Sequence, residues 1–484
     1  MRDVKHFIGG AFVDSADGRT FESITPIDNT PIATVAEGGP DDVDRAVTAA
    51  RTAFETWSTA GPTERKRVLM KVADGIAARA DELAEWETRD MGKAITAART
   101  KDIPRAAHNF RFFADWAEAA GTGAWDKPWD GVFSYELREP LGVVGSISPW
   151  NFPLMLLTWK VAPAIAFGCT VVAKPAEQSP ITASILAEIC AAAGMPDGVF
   201  NVVNGFGPDS AGEALTTHPG VDAITFTGES NTGRAIMAAA APSLKKLSFE
   251  MGGKSANIVC ADADLDEAVA GSLRGIFTNQ GEVCLAGSRL LVQRPIYEEF
   301  LARLVEGAEA YRIGDPLDPA TQIGPLVSVE HMEKVLSYID LAQEEGAKPI
   351  TGGHRVTDGD LAKGNYVAAT IFADADNSMR SCQDEIFGPV EMVMPFDEVD
   401  EAIAIANQSR YGLAGMVWTS NLDTAHRVAR NVKTGTMWVN CFFERDLRAP
   451  FGGYKDSGIG REGGDYSYEF FTESKAVVMK LGRS

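Results

Sequence analysis

Six cysteines in 484 residues, Cys169, Cys190, Cys260, Cys284, Cys382 and Cys441, lie far apart with no CxxC pair, and the six histidines are equally scattered. This spacing suggests neither a disulfide framework nor a structural zinc site, so no metal is expected. Basic residues are scarce as well: 45 Lys and Arg against 67 Asp and Glu leave a formal charge of -22. Such an excess opposes binding to nucleic acid or to anionic membranes, and neither is expected as a partner. Long apolar runs are also missing. The most membrane-like stretch, MLLTWKVAPAIAFGCTVVA from Met155, is broken by Lys160, Pro163 and Gly168 and reads as a buried helix followed by a strand. The opening MRDVKHFIGGAFVDS has no uninterrupted apolar region of the signal-peptide kind, which makes the cytoplasm the expected compartment. HExxH, GxSxG and GxxxxGK[ST] are absent, removing the commonest zinc-protease, serine-hydrolase and P-loop readings.

What is present is ordinary globular usage, 45% hydrophobic and 23% charged, over a length that suits two or three domains. From Pro40 the apolar positions Val43, Ala46, Val47, Ala50, Phe54 and Trp57 recur at helical spacing, and helical pattern continues to about residue 118. From residue 142 short β-rich runs (GVVGSISP, CTVVAKP, VFNVVNG, AITFTG, KKLSFEMGG) alternate with helical segments such as ITASILAEICAAAG, which stops at Gly194. A second alternating series runs from near Ser255 past residue 435. The expected fold is therefore α/β, with two doubly wound parallel sheets. The first domain is expected over 1–120 and 141–252, the second over 253–450. The segments 121–140 and 468–484 read as strands belonging to neither series. Strands without a home often pair across a subunit interface, so a homo-oligomer, dimer or tetramer, is expected.

Several residues carry chemistry in this frame, each with a plainer reading beside it. Cys284, in NQGEVCLAGSR between Gly281 and Gly287, is a nucleophile if its surroundings favour the thiolate, and an inert core residue otherwise. Glu250, after an apolar strand and before Gly-Gly, is a general base or the cap of the next turn. The stiff turn PWNFP holds the Asn151 amide either toward an oxyanion or toward its own backbone. FTGESNTG leads from a strand into a helix and suits a phosphate. Lys174 and Glu177, just after a strand, are a ribose-hydroxyl site or a solvated pair. GIGREG from Gly458 has no strand before it and is not a phosphate loop.

Taken in order, PWNFP, KPAEQSP, FTGESNTG, FEMGGKS, NQGEVCLAGSR, DEIFGPV and PFGGYKDSGIGRE resemble the aldehyde dehydrogenase superfamily almost from end to end. The resemblance implies a Rossmann-like cofactor domain, a catalytic domain and a small β oligomerisation element. It implies that Cys284 is the nucleophile, that Glu250 is the general base, and that Asn151 with the Cys284 backbone N–H forms the oxyanion hole. It implies NAD as cofactor, with Lys174 and Glu177 at the adenosine ribose. Ile147, Ser148, Trp150, Phe226, Thr227 and Gly228 are then expected along the dinucleotide, and Glu385 with Phe387 at the nicotinamide ribose. Relatives commonly have Ser where this chain has Glu229, and a carboxylate there is expected to point away from a pyrophosphate.

The same resemblance places a substrate pocket between the helix around KDIPRAAHNFRFF, Phe152, and the loop CFFERDLRAPF with Phe451. Many relatives are apolar at the positions of Arg105 and Arg445. A guanidinium suits a carboxylate, and RDLRAPFGG with GREGGDYSYEFF looks most like semialdehyde dehydrogenases of aromatic meta-cleavage pathways, of the 2-hydroxymuconate and 5-carboxymethyl-2-hydroxymuconate kind. An anionic aldehyde is the expected substrate, contacted by Arg105, Arg445 and Arg448. The plainer reading pairs Arg445 with Glu444 or Asp446 on the surface. A broad aliphatic or betaine-type aldehyde dehydrogenase, or a non-catalytic protein that kept the fold, are the alternatives.

Overall fold

Val143–Ile147, Thr170–Lys174 and Ala223–Thr227 are buried along their whole length. They read as unbroken apolar runs because a parallel strand covered by helices on both faces has no solvent side to alternate toward. With Phe200–Val202 and Lys246–Glu250 they form the parallel centre of an eight-stranded sheet in the computed structural model, which describes residues 1–481. His6–Ile8, Ala11–Val13 and Gly458–Ile459 add antiparallel strands at its edges.

From Val143–Ile147 the chain first builds outward through Thr170–Lys174 and Phe200–Val202. It then crosses back to lay Ala223–Thr227 and Lys246–Glu250 on the other side. That reversal opens a crevice at the C-terminal strand ends, the place where doubly wound sheets bind ligands. Register lines up the edge: Ile147 lies opposite Lys174 and Phe226, and Thr227 opposite Glu250.

Helices Pro40–Trp57, Pro62–Ala78, Ala80–Met91 and Ile103–Ala119 fill the region where the sequence has helical periodicity. The broken apolar stretch from Met155 falls in the helix Pro153–Ala166 and the strand Thr170–Lys174. That helix is buried nearly all round, which explains its lack of a polar stripe. No helix among the described residues is long and apolar enough to cross a membrane.

Residues 251–255 link Glu250 to Ala256–Val259, an inner strand of the second sheet. That sheet runs Lys348–Thr351, Thr370–Ala373, Val390–Phe396, Arg289–Gln293, Ala256–Val259, Ala414–Trp418 and Thr436–Val439, all parallel except the first. A link so short carries the chain from the C-terminal edge of one sheet to the N-terminal edge of the other, so both edges face one space.

The strands that belong to neither alternating series form a sheet of their own. Val132–Pro140 and Thr472–Lys480 pair with each other antiparallel over nine residues, and Ala124–Lys127 completes a three-stranded sheet. Neither strand's pattern points to so distant a mate, which is why the sequence left them homeless. Residues 468–471 belong to the helix Gly464–Phe471 rather than to the tail strand, and 482–484 lie outside the described residues.

Candidate active site

A cleft of about 440 Å³ opens between the two sheets, lined among others by Trp150, Asn151, Thr227, Gly228, Glu250, Cys284, Glu385 and Phe387. Eight residues singled out in the sequence thus meet in one place. Ile147, Ser148 and Phe226 are not on its walls: Ile147 and Phe226 pack in the apolar core behind it, and Ser148 is buried. Lys174 lies at the end of a neighbouring strand, with its ammonium 3.1 Å from Glu177. Lys174 is buried, so the pair is not a solvated surface one. Glu229 is exposed on the cleft rim and its carboxylate accepts the Asn231 amide at 2.9 Å.

The loop that presents Cys284 is strained. Asn279, Gln280 and Gly281 have φ of +52°, +47° and +78°, a left-handed run that a Gln rarely adopts. Side chains hold it: Gln280 donates to the Glu282 carboxylate at 2.9 Å, Asn279 donates to the Asn151 carbonyl at 3.0 Å, and Glu282 accepts the Val327 N–H at 3.0 Å. Gly281 is required on a second count, since a Cβ there would sit 2.2 Å from the Gly388 carbonyl oxygen. A Cβ on Gly253 would lie 2.4 Å from the Cys284 carbonyl oxygen, so the link between the sheets runs directly against the Cys284 loop.

Asn151 donates through its side-chain nitrogen to the Glu282 carbonyl at 2.9 Å. A carbonyl can only accept, which fixes the orientation of the amide and leaves one N–H free for another acceptor. Glu250 ends its strand with both carboxylate oxygens buried and without a partner among the described residues. Burial first, and Glu462 second, hold Glu250 well above the usual carboxylate range, against Lys160, Arg445 and Arg461. Burial, with Glu385 and Glu250 adding, pushes the Cys284 thiol up to about 12. Both groups, the Cys284 thiol and the Glu250 carboxyl, are thus shifted toward their protonated forms. Glu385 accepts the Gly253 N–H at 2.8 Å, and burial pushes it up to about 7.

Arg105 and Arg445 face a second recess of about 490 Å³, shared with His108, Phe112, Asp446, Leu447 and Arg448. The Arg445 guanidinium lies 3.6 Å from the ring centre of Phe451 and 4.3 Å from that of Trp159. Its Nε and Nη2 are sealed from solvent and have no hydrogen-bond partner among the described residues. Loss of water, with Arg105 adding, pushes Arg445 down to about 9, against Glu462, Glu250 and Cys284, so it remains a cation at neutral pH. The surface pair weighed for Arg445 belongs instead to Arg448, which is exposed and forks onto Asp446 at 2.6 to 3.1 Å. Arg105 stacks on Trp159 at 5.5 Å and donates to Asn109 at 3.0 Å. Phe152, buried, faces Phe443 with ring centres 6.3 Å apart.

Residues 12–477 match the Aldehyde dehydrogenase family. The chain belongs to this family. A 2-hydroxymuconic semialdehyde dehydrogenase from Pseudomonas sp. (strain CF600) is 52% identical over 99% of this chain and 100% of its own length. A 2-aminomuconic 6-semialdehyde dehydrogenase from Pseudomonas sp. is 46% identical over 100% and 99%. The structure of an aldehyde dehydrogenase from Bacillus cereus in complex with NAD+ matches with a TM-score of 0.96 at 43% identity, over 99% of this chain and 97% of that one. The protein is thus an oxidoreductase that acts on a small aldehyde with a nicotinamide dinucleotide.

In this aldehyde dehydrogenase three residues beside Glu250 escaped the sequence reading. Glu462 accepts Lys160 at 2.6 Å and the Trp159 indole N–H at 2.7 Å, and Lys160 also reaches Thr225 at 3.1 Å. Two signals were available. Lys160 is the charge that interrupts the apolar stretch, and Glu462 lies in GIGREG, whose Gly458–Ile459 pairs with Phe249–Glu250 as a sheet edge. His331 was also missed: its Nε2–H donates to the Phe387 carbonyl at 2.7 Å, and burial holds the ring down to about 4, hence neutral.

Proposed function

We propose that this aldehyde dehydrogenase oxidises a carboxylate-bearing semialdehyde, of the 2-hydroxymuconate semialdehyde type, with NAD. The observation that carries the reading is Arg445, a cation with two sealed N–H-bearing nitrogens that have no acceptor among the described residues. A buried guanidinium without a partner is costly, and a substrate carboxylate would satisfy it in bidentate fashion. Arg105 lies on the same recess, and the 2-hydroxymuconic and 2-aminomuconic relatives agree with such a substrate.

The chain's own groups divide the work as follows. Glu250, in its ionised form, takes the Cys284 proton and passes it to solvent, and the thiolate adds to the aldehyde carbon to give a thiohemiacetal. The free N–H of Asn151 and the Cys284 backbone N–H hold the oxyanion. When bound, the oxidised nicotinamide supplies the hydride acceptor, and a thioester on Cys284 remains. Glu250 then draws a proton from water as it attacks that thioester, releasing the acid.

The dinucleotide fits the crevice at the sheet's reversal point, with the Glu177 carboxylate available to ribose hydroxyls and repulsive to a 2′-phosphate. Thr227 and Gly228 would flank the diphosphate, and Glu385 with Phe387 the nicotinamide ribose. In this reading the first sheet and its helices form the cofactor domain, the second the catalytic domain. The three-stranded sheet joins copies into a homo-oligomer, because Trp125 and Val478 leave apolar surface exposed on it.

A steady-state screen of anionic, neutral and cationic aldehydes with NAD and NADP tests this. The anionic aldehyde with NAD should have the highest kcat/KM, by roughly 10-fold or more over a neutral one of equal length. Equal rates would indicate a broad aliphatic enzyme, and cationic preference a betaine-type one.

A further inference from the structure

Helix Pro153–Ala166, which follows Asn151 and Phe152, starts without a cap of its own. Phe152 occupies the N-cap position and Pro153 has no N–H. The Leu154 N–H meets Glu87 instead, at 3.4 Å, from the helix Ala80–Met91. Glu87 is wholly buried and its other oxygen faces Lys93 Nζ at 3.3 Å. Lys93, 1% exposed, also donates to Asp102. Its ammonium lies 4.0 Å from the ring centre of Phe152. Asp102 ends a π-helical turn, Ala98–Asp102, and heads the helix Ile103–Ala119, whose first turn carries Arg105. Turns of that kind are rare and concentrate at functional sites.

One buried ammonium therefore touches the ring beside Asn151, the carboxylate at the head of the helix after Asn151, and the residue that heads the helix of Arg105. We propose that Lys93 is a positioning residue, a buried post that fixes the Asn151–Phe152 turn relative to the Arg105 helix, so that the aldehyde oxygen and a distant carboxylate are held at once. The part that concerns the carboxylate rests on the function proposed above. The part that concerns Asn151 does not.

An ion pair that serves stability alone is replaceable by neutral groups of similar volume. A post that works through the face of Phe152 is not, because a neutral side chain has no cation–π attraction to it. Three variants separate the two: Lys93→Met, the neutral set Glu87→Gln/Lys93→Met/Asp102→Asn, and Asp102→Asn, which removes a charge at constant volume. Each is assayed for kcat and KM with a neutral and a carboxylated aldehyde of equal length, for NAD binding by fluorescence, and for thermal melting.

For the neutral aldehyde, kcat should fall roughly 10- to 100-fold in Lys93→Met and in the neutral set, the size expected when an oxyanion donor is misplaced. NAD affinity should not change, and the neutral set should melt close to the wild type. Asp102→Asn should lower kcat by about 3-fold, as a weaker version of the same displacement. A folded neutral set with wild-type kcat overturns the proposal. Where Lys93→Met and the neutral set fail to fold, Asp102→Asn decides, and unchanged kinetics with both aldehydes overturn it. If the wild type does not distinguish the two aldehydes yet kcat falls in these variants, the arginine reading fails and the Lys93 proposal stands.

Discussion

Glu250 and Glu462 are two buried carboxylates whose charges act on each other, and Lys160 lies with them. In the mechanism proposed above Glu250 is a base and works only when ionised, so kcat should rise with pH through its elevated pKa. Glu462→Gln keeps one acceptor oxygen, for Lys160, gives up the one that serves Trp159, and removes the opposing charge. Lys160, Arg445 and Arg461 then favour the Glu250 carboxylate unopposed. The rising limb of the kcat–pH profile should move toward acid by on the order of one pH unit. A limb that stays or moves toward base would contradict this account of Glu250. At this scale Cys284, Glu250 and Asn151 were legible because each sits in a short stretch with glycines or prolines that restrict what it can do. Glu462 was not, because its partner Lys160 is 302 residues away and its own stretch imitates a phosphate motif. Arg445 was legible as a misplaced charge. That two of its guanidinium nitrogens lie sealed beside Phe451 and Trp159 depends on helix and loop packing that no local pattern encodes.

Among the elements, the parallel strands were readable because burial on both faces leaves an unbroken apolar run, and the order of strand and helix then dictates a doubly wound sheet. The tail strand was readable as a strand but not as the partner of Val132–Pro140, since antiparallel ladders carry no sequence label for their mate. Across the resulting sheet Trp125, Ser134 and Val478 stand in one row and so share a face. Trp125 is 56% and Val478 66% exposed, an apolar surface that a second copy would cover in the assembly proposed above. Placing glutamate at both, Trp125→Glu with Val478→Glu, should lower the assembly mass in sedimentation velocity while each chain stays folded. An unchanged mass would remove this sheet from the interface.

For the molecule as a whole, the net charge of -22 sets a background that repels anions, and an anionic substrate of the kind proposed would have to be won locally. The recess would do this with Arg105, Arg445 and Arg448 in one wall, while the Asp446 carboxylate already occupies Arg448. Arg445 thus carries the central claim, and it also bears on Glu250 and Cys284, so a rate with a single substrate would mix two effects. The most direct test is the ratio of kcat/KM for a carboxylated semialdehyde to that for a neutral aldehyde of equal length, in the wild type and in Arg445→Ala. Effects on the nucleophile and base cancel in that ratio. It should fall by roughly 100-fold, about 3 kcal/mol, as expected when one partner of a buried charge-assisted contact is lost. Equal losses with both aldehydes, leaving the ratio where it was, would contradict the account.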